Sequence, residues 1–357
     1  DMDTGEPDVI LSLIQVLKDR MVVKYGASDP NAITQKKAEE PVTPQEAVMR
    51  TEGTVFPVAD LREHLEEIMS NRDKFVAEHY TGDLIRNSSG TIEFKPNADK
   101  TPIRSYDKLP SDRTGAIEIF QMPRKNAEGQ IPFGRYIAGI DPIDSDTGNS
   151  LFSIIVMDSF TDKIVAVYSG RPRLAEDAYE TALRLLEFYN AIANYEQNLK
   201  GLFSYFDQKR ALKHLCDVPQ ILKDMQMIKD VGYGNTSKGT RASKEVNKWG
   251  RTLQANWQKQ YEDGRKEEDA YFDDEDNGVR KLNLHFLRDI AYIEECIKWN
   301  ADGNFDRVSA GGMLFILRED RYRRTESLKE NGGNSGSDIA KDKFFNKNFK
   351  KNFRLNN

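Results

Sequence analysis

Three acidic residues stand at the boundaries of predicted secondary-structure elements. Asp141 follows Tyr136 to Ile140, a run of apolar and small residues typical of a strand that is buried on both faces. Glu196 ends a second short strand-like run that starts at Ala191, and Asp306 opens the last long predicted helix. A buried carboxylate that stays charged and unpaired is costly, so such residues usually have a charged partner or bind a metal ion.

Each of these acids also has a purely structural interpretation. Asp141 precedes Pro142, and Asp-Pro is a common turn initiator. Glu196 is then a surface residue of a turn, and Asp306 only caps its own helix. If the three acids instead converge, their repulsion shifts their pKa values and calls for cations.

The ligand types limit which cations such a cluster would hold. Oxygen ligands without Cys or His favour Mg²⁺ or Mn²⁺ over zinc. Two such ions, about 3.5–4 Å apart, activate a water molecule and stabilise the leaving oxygen of a phosphodiester. The three acids, taken together and in this order, therefore favour a nuclease over three unrelated surface residues.

The pattern around the acids predicts an α/β fold. Two further β-like runs, 151–158 and 163–169, follow Asp141 after tight turns, and ribonuclease-H-like nucleases begin with three such strands and an acid on the first. Apolar periodicity predicts helices over the following ranges: 8–24, 59–72, 175–190, 243–261, 284–299 and 306 to about 324. A short capped helix begins at Pro44, residues 27–40 are interpreted as a linker, and two isolated β-like runs are expected at 91–94 and 116–122.

Composition excludes several classes of protein. The chain has 357 residues, a net charge of -6 and no apolar run that approaches a membrane span. Its two cysteines are too few for a disulfide framework, its four histidines are scattered, and no signal peptide is recognisable, which indicates a reducing cytoplasm. The acidic stretch 262–276 is expected to be solvated, and the basic tail from residue 329 to be disordered.

A basic segment is the candidate surface for nucleic acid. It comprises Lys238, Arg241, Lys244, Lys248 and Arg251, of which the last three are spaced to share one helical face. Cations of this kind contact phosphates and position a duplex without reading its bases. The alternative is a solvated basic face with no ligand. The basic tail is a second candidate, for DNA or for a protein partner.

Several motifs resemble the nuclease domain of the large terminase subunit of tailed bacteriophages. They are the strand that ends at Asp141, the stretch Glu196-Gln-Asn-Leu-Lys-Gly201, and Asp306-Arg-Val-Ser-Ala-Gly-Gly-Met313. Pro41-Val-Thr-Pro-Gln-Glu-Ala-Val-Met49 resembles the Thr-Pro-Glu-Ala segment between the terminase motor and nuclease, and the stretches 201–206 and 238–251 are most similar to crAss-like gut phages.

The resemblance implies a ribonuclease-H-like mixed β-sheet flanked by helices, with a helical N-terminal connector. It implies metal-dependent cleavage of double-stranded concatemeric DNA during genome packaging, with Asp141, Glu196 and Asp306 as ligands of two Mg²⁺ or Mn²⁺ ions. Asp146 or Asp144 is a further candidate ligand through water, and Asp302 competes with Asp306. The implied partners are double-stranded DNA, the terminase ATPase domain, the portal protein and the small terminase subunit, in the host bacterial cytoplasm at the procapsid portal.

The chain also departs from a complete terminase. No Walker A run of Gly-x-x-x-x-Gly-Lys-Ser/Thr occurs, so we expect no ATP hydrolysis, and the start at Asp1 without methionine suggests a piece of something longer. The predicted division is a connector at 1–130, the nuclease domain at 131–328 and a basic tail at 329–357. Two alternatives stay open: a resolvase-like nuclease of the same fold, and a non-catalytic packaging or portal-docking module.

Overall fold

The computed structural model describes residues 8–26, 32–47, 54–77, 79–228, 237–261 and 281–330. The acidic stretch 262–276 and the basic tail from residue 331 onward lie outside the described residues, so the predictions for them stay predictions.

A seven-stranded mixed sheet organises the described part of the chain, in the order β2-β1-β3-β6-β5-β4-β7. The strands are β1 Tyr80–Arg86, β2 Ile92–Pro96, β3 Ile117–Ile119, β4 Tyr136–Asp141, β5 Phe152–Asp158, β6 Lys163–Gly170 and β7 Ile192–Tyr195. Strands β4, β5 and β6 form an antiparallel meander, and β7 pairs with β4 in parallel. The predicted α/β class is confirmed.

The described residues form eleven α-helices, some of which cover the two faces of this sheet. They are α1 Val9–Gly26, α2 Ala32–Glu39, α3 Pro44–Ala47, α4 Val58–Ser70, α5 Arg72–Ala77, α6 Ala175–Tyr189, α7 Gly201–Gln208, α8 Gln220–Asp224, α9 Lys244–Lys259, α10 Ile290–Lys298 and α11 Asp306–Glu330. Strand β4 separates two apolar cores, because Ala138 belongs to the core under α6 and Ile137 to the core under α11. The strand is therefore buried on both faces, as its sequence predicts.

Three local predictions are wrong. The predicted linker contains α2, and the helix predicted over 284–299 is two elements, a 3₁₀ turn over Asn283–Phe286 and then α10. The break comes at Asp289, whose carboxylate accepts a hydrogen bond from the Tyr292 N–H at 3.1 Å and so starts a new helix. Helix α11 continues beyond the predicted end near Arg324 to Glu330.

Strand β1 is not apparent from the sequence. It contains Gly82 and Asp83, residue types that are depleted in strands. Pairing with β2 on one side and β3 on the other supplies the hydrogen bonds that hold it extended. Strand β3 in turn pairs with β6, so strands from both sides of the predicted boundary at residue 131 share one sheet.

Candidate metal centre

Asp141 and Glu196 lie side by side at the carboxyl ends of two adjacent parallel strands, β4 and β7. The parallel register pairs Ile140 with Tyr195, and each acid is the next residue on its strand. The Glu196 N–H donates to the Ile140 carbonyl at 3.2 Å, which continues the pairing to the acids themselves. Adjacent parallel strands end at one edge of a sheet, and that edge is where open α/β folds place ligands.

A glycine on β4 brings the third acid to this edge. A Cβ atom on Gly139 would lie 2.1 Å from the Ala310 carbonyl oxygen and 2.3 Å from the Leu314 nitrogen, so the α11 backbone rests directly on β4. Asp306 lies one turn before Ala310, at the start of α11. The close contact at Gly139 therefore positions the start of the helix beside the end of the strand, where Asp141 stands.

The pKa values of the three acids reflect this arrangement. The pKa of Asp141 is raised well above its ordinary value by burial, then by the negative charges of Asp306, Glu196 and Glu295, while the Ser309 side chain acts in the opposite direction. Burial also raises the pKa of Glu196 and of Asp306. The charges of Asp306 and Glu196 thus reach Asp141 and disfavour its charged form, as nearby carboxylates do.

Asp306 does not cap its own helix. Its Oδ2 accepts hydrogen bonds from the Leu151 N–H at 2.7 Å and from the Asn304 side chain at 3.2 Å. Among the described residues, none donates a hydrogen bond to its Oδ1. The structural interpretation of Asp306 as the cap of α11 is therefore wrong.

Two neighbouring acids, in contrast, hold the starts of helices. Asp146 Oδ1 accepts from the Ala175 N–H, the first residue of α6, at 2.8 Å. Asp144 Oδ1 accepts from the Gly201 N–H, the first residue of α7, at 2.8 Å. The competitor Asp302 lies exposed in the loop before α11. These contacts give Asp144 and Asp146 structural roles, and whether either also reaches a metal through water stays a prediction.

Sequence reasoning missed the acid beneath this site. Glu295 of α10 is 1% exposed and forms an ion pair with Arg307, Oε1 to Nη1, at 2.8 Å. Burial raises the pKa of Glu295 to about 7, and the charge of Arg307 opposes that shift. Its position in the sequence could have indicated that it is buried, because it stands beside Cys296 and one turn from Tyr292, on the buried face of α10.

The donor set fits a hard divalent cation. Asp141, Glu196 and Asp306 supply oxygen ligands only, and the buried cation next to Asp306, Arg307, is already paired with Glu295. Within the described ranges, no three His, Cys, Asp or Glu side chains enclose an ion as they stand. A cation bound by these acids would offset both causes that raise the pKa of Asp141, its burial and the negative charges of Asp306 and Glu196.

The basic segment begins beside Glu196. The Thr240 N–H donates to the Tyr195 carbonyl at 2.8 Å, and the Gln197 N–H donates to the Thr240 carbonyl at 2.9 Å, so residues on both sides of Glu196 are tied to this loop. The Asn198 side chain donates to Glu196 Oε1 at 3.1 Å. The loop therefore lies beside Glu196, and its contact with DNA stays a prediction.

The five predicted DNA contacts have different surroundings. Arg241, Lys244 and Lys248 are exposed. Lys238 forms an ion pair with Asp217 at 2.9 Å, and the Arg251 guanidinium lies over the Trp299 ring, 4.4 Å from its centroid. Ser243 caps helix α9, because its hydroxyl accepts from the Val246 N–H at 3.2 Å. Lys244 and Lys248 therefore lie in the first turns of a capped helix.

No protein-family model and no curated protein matches this sequence. Among the described residues, no helix combines the length and the apolar character needed to cross a bilayer.

Proposed function

We propose that this chain is a divalent-metal-dependent endonuclease that cuts double-stranded, concatemeric phage DNA during genome packaging. The observation that carries the proposal is the meeting of Asp141, Glu196 and Asp306 at the ends of β4 and β7 and the start of α11, where burial and then the negative charges of Asp306 and Glu196 raise the pKa of Asp141. Such a concentration of carboxylates, beside an Arg307 that is already paired with Glu295, is suited to hard metal ions.

In this proposal the three acids hold two Mg²⁺ or Mn²⁺ ions. Bound ions of this kind supply activation of a water molecule and stabilisation of the leaving oxygen. The chain's own part is to fix the ligands: Glu196 through backbone pairing to Ile140, and Asp306 through the Leu151 N–H. The surface cations of the basic segment hold the phosphates of the strand to be cut.

Strand order supports the ribonuclease-H-like part of the proposal. An antiparallel meander of β4, β5 and β6 begins on the strand that ends in Asp141. Helix α6 then crosses over to β7, which lies parallel beside β4. The resemblance to large terminase subunits adds the proposed setting: the host cytoplasm at the portal, with the ATPase domain, portal protein and small subunit as partners.

A non-catalytic packaging or docking module is the second candidate. Such a module would bind no metal, so a parent chain that never cleaves with Mn²⁺ or Mg²⁺ would favour it. A resolvase-like nuclease remains the alternative of the same fold, and preference for branched over linear duplex DNA would distinguish it.

Plasmid cleavage tests the proposal. The chain and its variants Asp141→Asn, Glu196→Gln and Asp306→Asn are assayed with Mn²⁺, Mg²⁺ or EDTA, with Asp302→Asn as the matched acid from the exposed loop. We expect cleavage with metal, none in EDTA, and a loss of roughly 100-fold or more in each of the three site variants. Cleavage that survives all three substitutions, or a parent chain that never cuts, would overturn the proposed activity.

A further inference from the structure

Helix α11 is preceded by a residue that cannot cap it. The residue before Asp306 is Phe305, which has no side-chain acceptor and is buried against Tyr106. The first N–H groups of a helix have no partner within the helix and need an acceptor from elsewhere. In most helices that acceptor is a polar side chain at the position of Phe305.

Glu295 supplies the missing acceptor from another helix. Its Oε2 accepts from the Arg307 N–H at 2.9 Å and from the Val308 N–H at 3.1 Å. Its Oε1 accepts from Arg307 Nη1 at 2.8 Å. One buried carboxylate of α10 therefore binds both the backbone and the side chain at the start of α11.

Arg307 is itself buried, and both of its terminal nitrogens donate hydrogen bonds. It is 1% exposed, its Nη2 donates to the Ile103 carbonyl at 2.8 Å, and its Nε lies 3.8 Å from Asp289 Oδ2. Glu295 and Arg307 thus form a rigid buried pair directly behind Asp306. Charged hydrogen bonds of this kind are stronger than neutral ones and hold a defined geometry.

The Glu295–Arg307 pair bears on which hydrogen bonds the Asp306 carboxylate accepts. A helix N-terminus attracts negative charge, and Asp306 carries the nearest carboxylate on α11 itself. Glu295 occupies the Arg307 and Val308 N–H groups, while Asp306 Oδ2 accepts from the Leu151 N–H of the neighbouring loop. Its Oδ1 then accepts no hydrogen bond among the described residues.

We propose that Glu295 is a positioning residue that caps α11 in place of Asp306 and so keeps the Asp306 carboxylate directed toward the site. This inference rests on the proposed function for its catalytic meaning. The positioning itself is independent of catalysis, because it predicts where one hydrogen bond goes when Glu295 is changed.

Two substitutions at the same position separate the acceptor from the charge. Glu295→Gln removes the charge but keeps an oxygen that accepts from Arg307 and Val308, whereas Glu295→Ala removes both. Glu294→Ala is the matched control, because Glu294 Oε2 accepts from the Tyr106 N–H at 2.7 Å and stabilises a different segment. Any loss through general destabilisation should appear in the control as well.

The first readout is amide hydrogen exchange at Leu151 in the full chain without metal. In Glu295→Ala we expect Asp306 to turn to its own helix, so that Leu151 exchanges roughly tenfold faster, the effect of losing one hydrogen bond. In Glu295→Gln and Glu294→Ala the Leu151 exchange should stay close to that of the parent.

The second readout is the Mn²⁺ concentration that gives half-maximal cleavage. We expect it to be roughly tenfold higher in Glu295→Ala than in Glu295→Gln, the usual size of effect for residues that orient a ligand. Equal Leu151 exchange in the alanine and glutamine variants would overturn the positioning role. A parent chain that never cleaves would remove the proposed function, while the exchange comparison would still decide the role of Glu295.

Discussion

Asp141 and Glu196 occupy equivalent places on two adjacent parallel strands, since each directly follows a residue of the pair Ile140 and Tyr195. The Glu196 N–H donates to the Ile140 carbonyl at 3.2 Å, so backbone pairing sets the relative position of Asp141 and Glu196. Asp306 joins them through the contact of α11 with Gly139. Residues far apart in sequence thus meet through one strand pairing and one helix contact.

Gly139→Ala should move α11 away from β4. The added methyl group would meet the Ala310 oxygen and the Leu314 nitrogen, which are backbone atoms that cannot swing aside. We expect a loss of about 1–3 kcal/mol in the free energy of unfolding. Denaturant unfolding measures this loss, and the plasmid assay should show reduced cleavage.

Gly312→Ala is the matched control for that change. A Cβ atom there would lie 3.6 Å from the nearest atom, Gln254 Nε2, an ordinary van der Waals contact. Replacing a glycine inside a helix by alanine then stabilises by about 0.5–1 kcal/mol. A Gly139→Ala variant as stable and active as Gly312→Ala would contradict the role given to the contact between α11 and β4.

Stability without metal should fall as pH rises. The pKa values of Asp141, Glu196 and Asp306 are raised, so the folded chain holds these protons more tightly than the unfolded chain does. Their contribution is complete below the ordinary carboxyl pKa of about 4 and is lost as pH rises through the raised values. Thermal unfolding between pH 5 and pH 8 in EDTA measures this slope.

Asp141→Asn should flatten that pH dependence. The amide carries no charge to repel Asp306 and Glu196, so we expect a Tm a few degrees above that of the parent at pH 8, where about 1 kcal/mol corresponds to roughly 2–4 °C. The two proteins should converge at pH 5. A Tm of Asp141→Asn below that of the parent at pH 8 would mean that Asp141 is stabilised in its charged form by a partner within the protein.

Substitution of Asp146 should lower the free energy of unfolding without changing metal binding. Asp146→Ala leaves the Ala175 N–H at the start of α6 without its acceptor, at an expected cost of about 0.5–2 kcal/mol. Asp146→Asn keeps an acceptor and should lose less. If either variant raised the Mn²⁺ requirement for cleavage by more than its fall in stability explains, Asp146 would belong to the metal centre.

Removing charge from the basic segment should weaken DNA binding in a salt-dependent way. In the triple variant Arg241→Gln, Lys244→Gln, Lys248→Gln, the slope of log affinity against log salt should drop by about 0.9 for each phosphate that is no longer neutralised. Fluorescence anisotropy with a labelled duplex measures it. Lys95→Gln is the control, because Lys95 lies on β2, at the opposite edge of the sheet from β7. Equal slopes in the triple variant and the parent would identify a solvated face.

The sequence places Asp141, Glu196 and Asp306 at element boundaries, because the strand and helix patterns begin or end there. In the fold these element ends come together, and the acids with them. The pattern around Asp141 indicates a doubly buried strand, and β4 is one. The local pattern does not show the hydrogen bonds that residues distant in the sequence supply to the site. The periodicity of the sequence places Glu295 inside a continuous helix and gives no sign that it caps α11. Its partners, the Arg307 and Val308 N–H groups, belong to another helix and come close only in the folded chain.

Strand β1 and the break at Asp289 have the same explanation. The residues of β1 have weak strand preference and become a strand by pairing with β2 and β3. The helical periodicity of 284–299 continues across Asp289, although the carboxylate there starts a new helix at Ile290. Periodicity therefore predicts that elements exist better than it predicts where they are interrupted.

Anomalous diffraction from crystals soaked in Mn²⁺ tests the central claim most directly, because it locates the ions without reference to activity. The account predicts Mn²⁺ peaks ligated by Asp141, Glu196 and Asp306, and loss of those peaks in Asp141→Asn. Peaks confined to the turn of Asp144 and Asp146, or no peak at the sheet edge at all, would contradict it.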